Sequence, residues 1–381
     1  MGYDLPLIDN AWHVFASFVI FVFGLFVAYA YGKKLKVSTR YSCILYLYHT
    51  LFCIFYLNMV NNSGGDALNY YIRSTEALYD FRPGTIAIIY FSAAINYFGV
   101  GPLGMSLIYN IFGYLGVVFF YASVIKVVSY PSNTALILIK LLFLLPSMHF
   151  WTSGIGKDSL FFFSVGLLVY SAIDINKNII SICFIIVLMM LIRPHMAGVL
   201  IISLSFSLMI SRGTSLYFRA SFFVLSLLLT SLIVPFGLKY AGVEGGVSGV
   251  DSYIQERETK NTSGGSSIDL TSMSPPEKFF SYLFRPLPYE VNGVSQFLAS
   301  IDNMILMLIF IYALYCKIRY KINNLNFHSS ILWFYALGSL FILSFTSANL
   351  GIAVRQKWMF IPVFIFISMF YILNRKKSTN L

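Results

Sequence analysis

The chain has 381 residues, 58% hydrophobic and 11% charged, whereas a soluble domain carries about 25% charged residues. Its apolar residues fall in long runs, which excludes a single soluble globule and calls for helices, since lipid satisfies no backbone polar group. The net charge of +11 gathers at the ends of these runs, with no basic stripe interleaved with aromatics, which argues against nucleic acid as a partner.

The first predicted span covers residues 12–32. It follows an acidic segment (Asp4, Asp9) and lacks a basic n-region or a small-residue cleavage pattern, so it reads as a retained helix and not a signal peptide. Further spans are predicted over 40–57, 103–127, 135–150, 159–173, 179–191, 196–211, 218–236, 299–315, 330–346 and 358–373. The expected fold is therefore all-α: one polytopic membrane domain over 1–381 with about eleven transmembrane helices. Residues 84–98 are apolar but short and bounded by Arg82-Pro83-Gly84 and Gly99-Val100-Gly101-Pro102. Those breakers predict a re-entrant or interfacial helix on the outer face. Residues 237–297 form a long outer loop, rich in Gly and Ser, of the kind that is functional or disordered. No internal repeat is present.

Charge sets the expected orientation. Lys33, Lys34, Lys36, Arg40, Lys126, Lys177, Arg212, Arg219, Lys317, Arg319, Lys321, Arg375, Lys376 and Lys377 all fall in connections on one side. The positive-inside rule makes that side cytoplasmic, with the C-terminus inside. Lys140 is the exception, within a span; it either snorkels to the inner face or pairs inside the bundle. Cys43, Cys53, Cys183 and Cys316 have no metal-ligand spacing, so neither a zinc site nor a disulfide framework is expected.

The outer connections carry the unusual polar residues. After the second span come Gly64-Gly65-Asp66, then Tyr70, Arg73, Asp80 and Arg82. Further on are Gly156-Lys157-Asp158, Arg193-Pro194-His195, Arg285-Pro286, and the stretch from Asn349 through Arg355 to Lys357. A lone arginine at a helix end is most often a snorkelling anchor. Arg193 and Arg285, each fixed before a proline, fit that reading less well. Several arginines at one leaflet, against the positive-inside bias, suit an anionic head group such as a lipid pyrophosphate. Asp66 is either a general base or a helix cap, and Asp158 either a site residue or an N-cap ion pair. His149 and His195 read as structural hydrogen bonders rather than ligands.

In order along the chain, Gly-Gly-Asp66-x-x-x-Tyr70-Tyr71, Trp151-x-x-Gly154-x-Gly156-Lys157-Asp158, Arg193-Pro194-His195, Phe284-Arg285-Pro286 and Asn349-x-Gly351-x-x-x-Arg355 resemble the Wzy-type O-antigen and capsule polymerases. Those in turn resemble the wider GT-C membrane glycosyltransferases. The resemblance implies an inverting enzyme of the bacterial inner membrane with its active site facing the periplasm or exterior. A growing glycan would pass from undecaprenyl pyrophosphate to a lipid-linked repeat unit, with a chain-length regulator as a possible partner. On this reading Asp66 is the base, and Arg193, Arg285, Arg355 and Lys157 bind pyrophosphate. Arg73, Arg82, Asp158, His195, Asn349 and Tyr70 support them. No cofactor or metal is required, and no nucleotide-binding fingerprint is present. Two alternatives stand beside it: a transferase adding one sugar from a polyprenyl-phosphate donor, and a transporter of the lipid-linked oligosaccharide. Asp66 follows the second span rather than the first, so the resemblance requires an extra N-terminal helix.

Overall fold

The computed structural model describes residues 6–76, 80–128, 132–210, 273–291, 293–322, 329–347 and 349–374, with isolated positions between 215 and 268. Apart from those positions, the predicted span 218–236 and loop residues 237–272 lie outside the described residues, as do Arg212, Arg219, Arg375, Lys376 and Lys377.

The elements among the described residues are helices, the α-helices being α1 (Ala11–Lys34), α2 (Thr39–Ser63), α3 (Asp66–Ser74), α4 (Thr85–Asn96), α5 (Gly101–Val127), α6 (Asn133–Leu142), α7 (Pro146–Thr152), α8 (Lys157–Ala172), α9 (Ile179–Ile192), α10 (Pro194–Ile210), α11 (Pro275–Phe284), α12 (Val294–Arg319), α13 (Ser329–Thr346), α14 (Leu350–Gln356) and α15 (Ile361–Leu373). Some starts follow side-chain caps: the Asn10 Oδ1 accepts from the His13 N–H at 2.9 Å, and Ser132 Oγ from the Ala135 N–H at 3.2 Å. Among the described residues four helices, Ala11–Lys34, Thr39–Ser63, Gly101–Val127 and Gln296–Arg319, are long and apolar enough to cross a membrane. Two bent pairs raise the number to six: α6 with α7, turned by 44°, and Leu350–Met359 with α15, turned by 62°. Pro146 and Pro362 stand in the first turn after each break, where proline cannot continue the preceding ladder. The sequence expects a single span over 135–150, and at the second place an outer connection over 349–357 followed by a span over 358–373; that connection is helical because Asn349 caps α14. The segments over 159–173, 179–191 and 196–211 are helices of 16, 14 and 17 residues. The segment 84–98 is the 12-residue α4, between glycines at positive φ. Residues 275–284, inside the expected outer loop, are helical because Ser274 and Glu277 form a capping box ahead of Pro275.

The chain divides into two compact units: Met1–Tyr170 with Leu191–Arg193, and Ser171–Met190 with Pro194–Leu381. In the first, α2 and α5 pack on α1, and α7 on both α2 and α5. Close crossings are made by glycine. A Cβ on Gly166 would lie 2.1 Å from the Gly116 carbonyl oxygen, and one on Gly113 would lie 1.9 Å from that of Thr152. This is the small-residue packing that lets membrane helices approach. His149 Nε2 donates to the Phe143 carbonyl at 2.8 Å, and its Nδ1 lies 2.9 Å from His49 Nδ1, tying α2 to α7. That is the structural role expected for His149.

The first unit has two unlike ends. Lys33 and Lys34 close α1, and Lys126 closes α5. Lys126 Nζ sits 4.9 Å from the Tyr170 ring centroid. Lys140 joins this end: its Nζ lies over the Tyr41 ring at 5.5 Å, while the Tyr41 hydroxyl donates to its carbonyl at 2.6 Å. The opposite end holds the start of α1, where Trp12 Nε1 donates to the Phe98 carbonyl at 2.9 Å, and the α2–α3 turn.

In the second unit α12 packs on α15 and α10 on α13, while α11 rests against α12, α13 and α14. Lys317 marks its basic end, 5.9 Å from the Trp333 ring and 5.2 Å from that of Tyr371.

Candidate functional site

Unusual polar residues gather at one end of each unit. In the first, Gly64 (φ 75°) and Gly65 (φ 147°) turn the chain sharply out of α2, a path L side chains resist. Asp66 follows as the exposed first residue of α3; Gly65 is the cap residue, and no side-chain cap bond forms there. The Asp66 carboxylate thus stands in the first helical turn, where the dipole favours negative charge. One turn on, Tyr70 is buried with its ring against Gly156, where a Cβ would come within 3.4 Å. Gly156 (φ 143°) makes the turn into α8, whose first residues are Lys157 and Asp158.

Those two neighbours go separate ways. Lys157 Nζ donates to Thr85 Oγ1 at 2.9 Å, at the start of α4. Asp158 Oδ1 accepts from Arg193 Nη2 at 2.7 Å, and each of that pair keeps only 12% of its side chain exposed. The Gly84 N–H donates to the Leu191 carbonyl at 2.6 Å, bringing the end of α9 to the start of α4. Arg193 Nε is buried with no hydrogen-bond partner among the described residues. Arg73 lies in the last turn of α3, and Arg82 is exposed just ahead of α4. Burial and the charge of Asp9 raise the Tyr71 hydroxyl pKa, keeping it protonated.

In the second unit Arg285 ends α11, joined to Pro286 by a cis peptide. Its Nε donates to both oxygens of Glu290, at 2.8 and 3.1 Å. Glu290 Oε2 also accepts the Leu287 N–H at 2.8 Å. A recess of about 470 Å³ opens beside Arg285, lined by Met273, Pro276, Glu277, Phe280 and Ser281. Hydrogen bonds from Ser274 hold the Glu277 carboxyl below its usual range. Beneath the turn, Asn303 Nδ2 donates to the Pro286 carbonyl at 3.1 Å, and Lys357 Nζ donates to Asn303 Oδ1. Asp302, Asn303 and Lys357 are all fully buried. Asn349 caps α14, its Oδ1 accepting from Gly351 and Ile352 N–H at 2.8 and 3.2 Å. Arg355 lies in the last turn of α14, and His195 is exposed in the first turn of α10.

The expected set is thus shared between the two units. Asp66, Tyr70, Arg73, Arg82, Lys157, Asp158 and Arg193 belong to the first, and His195, Arg285, Asn349 and Arg355 to the second. Thr85, Glu290 and Asn303 were not among the expected residues. The Asp302-Asn303 doublet inside an otherwise apolar run is the signal that could have found the last of these, since intramembrane polar residues are costly without a role. Among the described residues no three His, Cys, Asp or Glu side chains are placed to hold a metal ion. Comparison of the chain with family models, with curated proteins and with solved structures gives no match.

Proposed function

We propose that this protein is a polysaccharide polymerase of the bacterial inner membrane. In this reading it transfers a growing glycan from undecaprenyl pyrophosphate to a lipid-linked repeat unit. About eleven segments span the bilayer, and in the first unit the end of Lys33, Lys34 and Lys126 faces the cytoplasm while the end of Asp66 faces outward. The observation that carries the reading is the Lys157-Asp158-Arg193 cluster. It holds two cations, partly buried at the starts of α4 and α8, at the end of its unit away from Lys33, Lys34 and Lys126. Topology alone gives no reason to place cations there; an anionic substrate does.

Asp66, at the start of its own short helix, takes the proton from the acceptor hydroxyl as that oxygen attacks the anomeric carbon. Arg193 and Lys157 stabilise charge on the departing pyrophosphate, and Arg285 and Arg355 are arginines suited to a lipid-linked pyrophosphate in their own right. Asp158 and Glu290 orient two of these arginines. A surface-polysaccharide gel on a strain lacking the gene tests this. Collapse of the ladder to a single repeat unit on its anchor is expected. A ladder of normal length with one sugar missing would point to a single-sugar transferase instead, and an unchanged glycan would end both readings.

A further inference from the structure

Lys357 and Asn303 are fully buried, the first at the α14–α15 bend and the second on α12. Asp302 lies close enough to Lys357 for their charges to interact. Groups of this kind are costly inside a membrane protein and call for a partner and a task. The partners form a connected series that ends at Arg285.

Lys357 carries only donors, so it fixes the orientation of the Asn303 amide: Oδ1 faces the ammonium, and Nδ2 faces the Pro286 carbonyl. That carbonyl and the Leu287 N–H belong to one planar peptide unit and point in opposite directions. Asn303 holds the oxygen of this unit from one side, and Glu290 accepts its N–H from the other. The same Glu290 carboxylate grips Arg285 at Nε. Both hydrogen bonds that Arg285 donates to Glu290 leave from Nε, so the clamp does not engage the Nη1 and Nη2 groups. They form the paired-donor edge suited to phosphate.

We infer that Asn303, oriented by Lys357, is a positioning residue that fixes the direction of Arg285 through the clamped Pro286–Leu287 peptide. The inference rests on the reading above, in which Arg285 meets pyrophosphate. The buried amine and amide never touch substrate; they keep the guanidinium edge from turning.

Two variants interrupt the series at different points. Asn303→Asp keeps the volume and an acceptor for Lys357 but removes the donor to Pro286. Leu287→Pro removes the N–H given to Glu290 and leaves every buried residue intact, so it serves if the first variant fails to insert. Inorganic pyrophosphate is titrated into the full-length protein in detergent. Arg285→Ala weakens binding about tenfold, and each variant weakens it about fivefold. Adding either variant to Arg285→Ala weakens it no further, because both act through that side chain. In polymer synthesis from lipid-linked repeat units, each single variant lowers kcat while KM stays within about twofold. Effects that add fully to Arg285→Ala, wild-type binding in both variants, or no pyrophosphate binding by the wild type overturns the inference. Non-additive binding together with an unchanged ladder in the deletion strain sinks the polymerase reading and leaves the positioning role standing.

Discussion

An ion pair that keeps 12% of each side chain exposed sits where the two substitutions differ in cost. Removing one partner strands the other in a poorly hydrated place, at about 2–3 kcal/mol. Arg193→Ala is therefore expected to lower both the unfolding midpoint in detergent and the polymer length. Arg193→Lys keeps the charge and restores most of the stability, yet it loses the planar fork, so the ladder stays short. Recovery of full polymer length by lysine would show that Arg193 is only a counter-ion for Asp158. The two arginines set before proline stood out in the sequence, but their carboxylate partners did not. Asp158 is 35 residues from Arg193, and only the fold brings them together. Adjacency in sequence suggests Lys157 as the partner of Asp158, whereas Lys157 reaches across to Thr85. Lys140 likewise reads as a mid-span charge until the contact with Tyr41 places it among the basic residues.

Helix positions were largely legible, because apolar runs, caps and breakers are local signals. The Ser274-to-Glu277 box was equally legible as a pattern, yet its place in a long polar stretch favoured a loop. What one sequence conceals is how closely two helices pass. Gly116 of α5 and Gly166 of α8 meet backbone to backbone, so any Cβ on Gly166 runs into a carbonyl that cannot rotate away. Gly166→Leu is expected to abolish stable accumulation in the membrane, and Gly166→Ala to cost about 2 kcal/mol or more in unfolding free energy. Gly293→Ala provides the comparison, since a Cβ there meets nothing within 4 Å; it should leave the level unchanged. Equal levels for Gly166→Leu and the wild type would contradict the crossing. The proline-marked break in α6–α7 was hidden for a different reason: the apolar run continues through it. At α14–α15 the polar stretch Arg355-Gln356-Lys357 favoured a loop where a short helix stands.

Each unit, taken by itself, has a basic end and an end of mixed charge, a polarity that topology and chemistry reach by separate routes. Labelling tests the orientation directly. In a chain freed of its four cysteines, Asn62→Cys, at an exposed position, is expected to react with an impermeant maleimide added to whole spheroplasts, and Lys36→Cys only after lysis. The reverse pattern would turn the first unit over and place its charged cluster in the cytoplasm. The bond between Lys357 and Asn303 joins residues 54 apart, and this separation bears on biogenesis. Arg285 and Glu290, five residues apart, can find each other as soon as that turn is made. Asn303 and Asp302 enter with α12 and must await a cation delivered two helices later. A nascent chain paused before residue 357 therefore holds an acidic group in the bilayer without its counter-charge, a state that the quality-control proteases of a membrane are suited to remove. Insertion of the α14–α15 bend thus also certifies that the chain has been threaded as far as Lys357.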